Sequence, residues 1–184
     1  VPGREADFRL AVEQALRYAW TLEVPAVNVL AGRLAEGVSR DQALDTLQAN
    51  LQFAVEKLSG VGISTYIEAI NCYDIPGFLL NTAEDMRQML ARVAHPSLQM
   101  QVDLYHMARM QEDLPTLLQQ DWRLIGHIQF ADTPGRGAPG SGELPFAHLF
   151  KQIAALPYSG YCGAEYNSGK DTPATLGWLT AYRN

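Results

Sequence analysis

The feature that most constrains this chain is a regular alternation, along its whole length, of segments with helical periodicity and short runs of strand character. The stretches 5–23, 41–58, 82–93, 112–120, 146–156 and 173–182 are patterned for helices. In the first, Phe8, Val12, Ala15, Leu16 and Ala19 share one apolar face, because spacings of three and four residues return a side chain to the same side of a helix. Between them, 26–31, 62–69, 98–104, 124–131 and 161–166 are bounded by turn residues and are expected as strands. Strands alternating with helices imply a parallel sheet built from right-handed crossovers, so the class is α/β.

Successive side chains of a strand point to opposite faces, and here that parity separates polar from apolar residues. Ser64, Tyr66 and Glu68 stand against Ile63, Thr65 and Ile67, and Gln99, Gln101 and Asp103 against Leu98, Met100 and Val102. His127 and Gln129 oppose Ile128 and Phe130; Tyr161, Gly163 and Glu165 oppose Cys162 and Ala164. A doubly wound open sheet is covered on both faces and reads as nearly continuous apolar runs. A closed barrel fits the split better, with helices on its outer face and polar residues in its upper interior. Any one of these polar residues is most simply a hydrogen-bonded core residue; the parity shared by four strands argues for a site. Sites in such barrels lie at the carboxyl ends of the strands, where Glu68, Asp103, Gln129 and Glu165 fall. Three carboxylates and an amide oxygen suit a hard divalent ion, magnesium or manganese; without a cation the carboxylates would repel one another and hold protons.

At 184 residues and 47% hydrophobic content, the chain is expected to bury a core as a single domain over 1–184. Its net charge of -6 offers no general attraction for nucleic acid or an anionic membrane, which favours a small-molecule partner. With two cysteines, Cys72 and Cys162, and no signal-peptide pattern, a reducing cytoplasm is the expected setting. The chain opens on Val1 rather than methionine, so upstream residues are expected to be absent.

The words around the strand ends are more specific than their spacing. Tyr66-Ile67-Glu68-Ala69-Ile70-Asn71 is followed by Asp74-Ile75-Pro76-Gly77-Phe78, then by Gln101-Val102-Asp103-Leu104-Tyr105-His106-Met107 and Gly126-His127-Ile128-Gln129. Pro134-Gly135-Arg136-Gly137, Gly140-Ser141-Gly142-Glu143 and Gly163-Ala164-Glu165-Tyr166 complete the series, and Val1-Pro2-Gly3-Arg4-Glu5 opens it. In this order the motifs resemble the hydroxypyruvate isomerase family. The resemblance implies a (β/α)8 TIM barrel of the xylose isomerase-like type, of which this chain is the carboxyl-terminal portion, about strands 4 to 8 with their helices, roughly the first three βα units lying upstream. It implies a divalent ion held by the positions matching Glu68, Asp103, Gln129 and Glu165, with Glu68 and Glu165 also donating and accepting the proton. His106 and Arg136 match positions that contact substrate oxygens. Two departures bear on the substrate: Ala138 stands where the family often has a glutamate, and Asn167-Ser168 replaces a basic residue and a proline.

The implied reaction is an intramolecular oxidoreduction, conversion of hydroxypyruvate to tartronate semialdehyde by metal-assisted proton transfer through an enediolate. Isomerisation of 2-oxo-tetronate and 3-epimerisation of a ketose use the same chemistry. A DNA-repair endonuclease on the same barrel would need more histidine ligands and a basic groove. A catalytically incomplete binding protein is a further class, and exposed barrel edges would favour a homo-oligomer. The planar fork of Arg136 suits a carboxylate, and His106 is expected in a loop above the ion. His127 is expected one layer deeper in a structural role, His95 and His148 at the surface, and Asp74 and Asp132 as groups that orient ligands or shape loops. Cys72 has no basic cluster to make it a nucleophile. The glycine-rich stretch 135–142 lacks the lysine followed by serine or threonine that defines a phosphate loop and is expected to be a lid.

Overall fold

A computed structural model of the chain describes residues 2–169 and 171–182. Val1 of the opening motif lies outside the described residues. Two compact units meet in sequence between Gln101 and Val102.

The first unit alternates as its sequence does: α1 (Glu5–Leu22), β1 (Ala26–Asn28), α2 (Arg40–Ser59), β2 (Ser64–Glu68), α3 (Ala83–Val93) and β3 (Leu98–Asp103), whose last two residues open the second unit. Strands β1 and β2 pair in parallel with Asn28 opposite Tyr66, and β2 pairs with β3 in parallel with Glu68 opposite Gln101. Capping boxes start both α2 and α3: Ser39 with Gln42, and Thr82 with Asp85, each satisfying backbone N–H groups that the first turn leaves over. Asp85 also receives Arg40 at 2.6 Å, which ties the starts of the two helices together. Helix α2 packs on β2 and on α3, burying Leu47, Leu51, Ala54, Val55 and Leu58, with Met86 and Met89 from α3. Each such large side chain taken fully out of water contributes about 1.5–3 kcal/mol before the cost of ordering it.

The second unit holds α4 (Leu104–Arg109), α5 (Leu114–Asp121), β4 (Ile125–Phe130), α6 (Phe146–Ala155), β5 (Cys162–Ala164) and a 3-10 helix over Thr172–Tyr182. Strands β4 and β5 are parallel, with Gln129 opposite Gly163. Phe130 meets Phe146, Phe150 and Trp178 edge to face at centroid distances of 5.8, 5.0 and 5.6 Å, so one strand residue joins α6 to the 3-10 helix. The apolar partners Cys162 and Ala164 of β5 are exposed. Gly163 sits close beneath β4, where a Cβ would stand 3.2 Å from His127 Nε2.

Two elements differ from expectation. Residues 104–109 form a helix that the sequence pattern does not announce, because Leu104, Tyr105, His106 and Met107 are all buried and no polar face interrupts them. Residues 172–182 coil as 3-10 rather than α-helix; Gly177 at their centre and the β-branched Thr175 and Thr180 weaken the α form, and none of these residues is buried. No helix among the described residues is long and apolar enough to cross a membrane.

Candidate active site

In the first unit, Glu68 closes β2 and is 5% exposed. Its Oε2 accepts hydrogen bonds from Asn28 Nδ2 at 2.8 Å and from Gln101 Nε2 at 3.0 Å, so one amide on each neighbouring strand fixes the carboxylate. The loop beyond is shaped by Asn71, whose Oδ1 accepts from the backbone N–H groups of Tyr73 and Asp74 while its Nδ2 donates to Asp74 Oδ2. Asp74 therefore has a structural role in that turn. Asn28 is a residue that sequence reasoning passed over. Asparagine at the end of a short strand reads as a turn former, and its approach to Glu68 depends on the register of β1.

The second unit gathers four of the expected residues. Asp103 is fully buried at the end of β3 and caps α4, its Oδ1 accepting the backbone N–H of Tyr105 at 2.9 Å. Its Oδ2 is buried with no hydrogen-bond partner; His106 Nε2 lies 3.6 Å away and Arg136 Nη2 3.5 Å away. Burial pushes the Asp103 carboxyl up to about 6, against the pull of the Tyr105 N–H and the Arg136 guanidinium, and the Glu165 charge adds to the rise. His106 belongs to α4, not to a loop, and is 2% exposed. The i, i+3 spacing along the capped turn brings it back to Asp103. Arg136 Nη2 donates to Glu165 Oε2 at 2.6 Å, and its guanidinium lies 5.1 Å from the centre of the Tyr105 ring. Glu165 follows β5, its backbone N–H donating to Phe130 O at 3.0 Å, and its side chain is half exposed. Gln129 lies on β4 with His127 on the same face, and burial lowers the pKa of His127. The unit thus links Asp103, His106, Arg136 and Glu165 by polar contacts, with Gln129 on the strand next to that of Glu165.

Arg136 is carried by a loop with its own brace. Asp132, 1% exposed, accepts four backbone N–H groups: Thr133 at 2.9 Å and Leu144 at 3.0 Å on Oδ1, Gly140 at 2.9 Å and Gly142 at 2.8 Å on Oδ2. A Cβ on Gly142 would lie 2.1 Å from Thr133 O, so the two limbs of the loop approach too closely for any side chain there. Arg136 itself is in the left-handed region at φ 52°, and its carbonyl accepts the Asn167 N–H at 2.8 Å. The stretch expected to be a lid is thus braced from within.

A divalent ion fits what the second unit offers. An orphaned, fully buried carboxylate oxygen is costly unless a cation takes it, and Asp103 Oδ2 is such an oxygen beside a histidine and a second carboxylate-bearing strand end. Carboxylate and imidazole donors are of the type that bind such ions.

The chain belongs to the xylose isomerase-like TIM barrel family, which it matches over residues 2–182. It is 40% identical to the hydroxypyruvate isomerase of Escherichia coli (strain K12), over 100% of this chain and 71% of that protein. It is 37% identical to the 2-oxo-tetronate isomerase of Cupriavidus necator, over 99% of this chain and 70% of that one. Among solved structures, AP endonuclease, family 2 from Brucella melitensis superposes with a TM-score of 0.95 at 33% identity, covering 100% of this chain and 71% of its own.

Proposed function

We propose that this chain acts as an isomerase of an α-hydroxy-keto acid, converting hydroxypyruvate to tartronate semialdehyde, with magnesium or manganese as its ion. What carries the reading is the 40% identity to a hydroxypyruvate isomerase over the whole chain. The orphaned Asp103 oxygen supports the ion. Its five strands among the described residues would be strands 4 to 8 of the family barrel, making 1–184 the carboxyl-terminal portion of one barrel domain, and its setting the reducing cytoplasm.

Glu68, Asp103, Gln129 and Glu165 would hold the ion, as the resemblance implies. When bound, a divalent ion supplies charge stabilisation to the two substrate oxygens that share negative charge as the proton leaves. The remaining work falls to the chain. One of Glu68 and Glu165 takes a proton from the hydroxymethyl carbon of hydroxypyruvate and the other returns one to the adjacent carbon, while the hydroxyl proton passes from the first oxygen to the former ketone oxygen, so that the ketone becomes the hydroxyl and the hydroxymethyl group the aldehyde. Asn28 and Gln101 keep the Glu68 carboxylate in one plane by holding its Oε2. His106 and Arg136 bind substrate oxygens, Arg136 through the two parallel donors that match a carboxylate. The loop braced on Asp132 fixes where that guanidinium can reach.

A substrate panel tests the reading: hydroxypyruvate, 2-oxo-tetronate and ketoses with added Mg2+ or Mn2+. Hydroxypyruvate should be the best substrate, with tartronate semialdehyde as product and activity lost on chelation. Preference for 2-oxo-tetronate would shift the assignment to that relative's reaction, and no turnover of any hydroxy-keto acid would sink it. An endonuclease reading is disfavoured by charge, since 20 Asp and Glu outnumber 14 Lys and Arg and nucleic-acid binders carry a basic face.

A further inference from the structure

Arg136 makes its polar side-chain contacts with two residues that the proposed function assigns to an ion. Nη2 stands 2.6 Å from Glu165 Oε2 and 3.5 Å from Asp103 Oδ2, while the guanidinium is stacked near Tyr105 and only 26% of the side chain is exposed. The backbone fixes the base of the side chain beside these carboxylates and leaves the guanidinium its side-chain torsions. Residue 136 is in the left-handed region, its carbonyl is bound by Asn167 and its loop is tied at both limbs to Asp132. A buried carboxylate needs a positive neighbour, and here a guanidinium supplies it in the place where a divalent ion would. The two cations cannot both sit on these carboxylates, since like charges a few ångströms apart in a partly buried site repel strongly.

We propose that Arg136 is a built-in counter-cation for Asp103 and Glu165, exchanged for the divalent ion: binding of the ion displaces the guanidinium, which is then free to take the carboxylate of the incoming acid. The inference rests on the metal-assisted reading and goes beyond it by setting an order, ion before acid, in which the arginine opposes the first ligand and favours the second. A substrate without a carboxylate gains nothing from the released arginine, so the exchange selects keto acids over neutral sugars. In linkage terms, the arginine and the ion are competitors for one pair of carboxylates, and removing one competitor strengthens the other by the full coupling between them.

The test is Mn2+ titration, by calorimetry, of the full chain stripped of metal with a chelator, without substrate, for wild type, R136Q, R136M and R136K. Either neutral variant removes the charge and keeps an unbranched stem, so the comparison stands on whichever folds, as judged by its circular dichroism spectrum. R136Q or R136M should bind Mn2+ about tenfold or more tightly than wild type, within the usual span of such couplings, and R136K should lie between. Equal or weaker Mn2+ binding by the neutral variants would overturn the exchange and leave the metal reading standing. No Mn2+ binding by any of the four proteins would overturn the metal reading and the exchange with it.

Discussion

The proposed binding of an ion turns on Asp103. It is fully buried, caps α4 through one oxygen and presents the other, unbonded, toward His106 and Arg136. Desolvation raises its pKa to about 6 in the absence of an ion. A ligand carboxylate must shed its proton, so protons compete with the ion below that pKa and not above it. Mn2+ affinity should therefore be nearly level above pH 7 and fall about tenfold per pH unit below pH 6, as expected when one proton leaves per ion bound. D103N should remove that pH dependence and weaken binding at least 100-fold; a variant that keeps wild-type affinity at pH 7.5 would show that Asp103 is no ligand. Glu68 is held differently, by two side-chain amides rather than by a cap, which sets the orientation of its carboxylate.

Among the elements, the loop 133–144 matters most, because it delivers Arg136 from one strand end to the carboxylates of two others. Its shape depends on a single carboxylate that collects four N–H groups. Asparagine at 132 has one acceptor oxygen in place of two, and its amide would face donors. D132N should cost about 2 kcal/mol in urea unfolding, given the exposure of Gly140 and Gly142 that lets water replace part of the loss, and should speed amide exchange at Gly140, Gly142 and Leu144. Unchanged exchange at those three amides would remove Asp132 as the brace. Little of this loop was legible in advance. Glycines at 135, 137, 140 and 142 suggest freedom, yet at 142 the chain packs against itself, as the close approach to Thr133 O makes plain. Strands were easier to read. Parity singled out Glu68 and Asp103 correctly as strand-end residues, since a side-chain period of two survives in any sheet with unlike faces. Helix α4 escaped because burial on every side erases the helical period. The meeting of Arg136 with Asp103 and Glu165 escaped because no local pattern encodes contacts between such distant positions.

Across the whole molecule, family membership and the separated motifs point the same way, and the acidic net charge of -6 agrees with a small anionic substrate only if cations are supplied locally. In the proposed reading, Arg136 and the divalent ion are those local cations. In that reading the ion is assigned to Glu68, Asp103, Gln129 and Glu165. The claim that these four serve a single ion is tested most directly by anomalous diffraction from crystals of the full chain grown with Mn2+. One anomalous peak is predicted, with an oxygen of each of Glu68, Asp103, Gln129 and Glu165 about 2.0 to 2.6 Å from it. A peak held by other residues, or these four oxygens lying more than about 6 Å from any common point with no peak among them, would contradict the account.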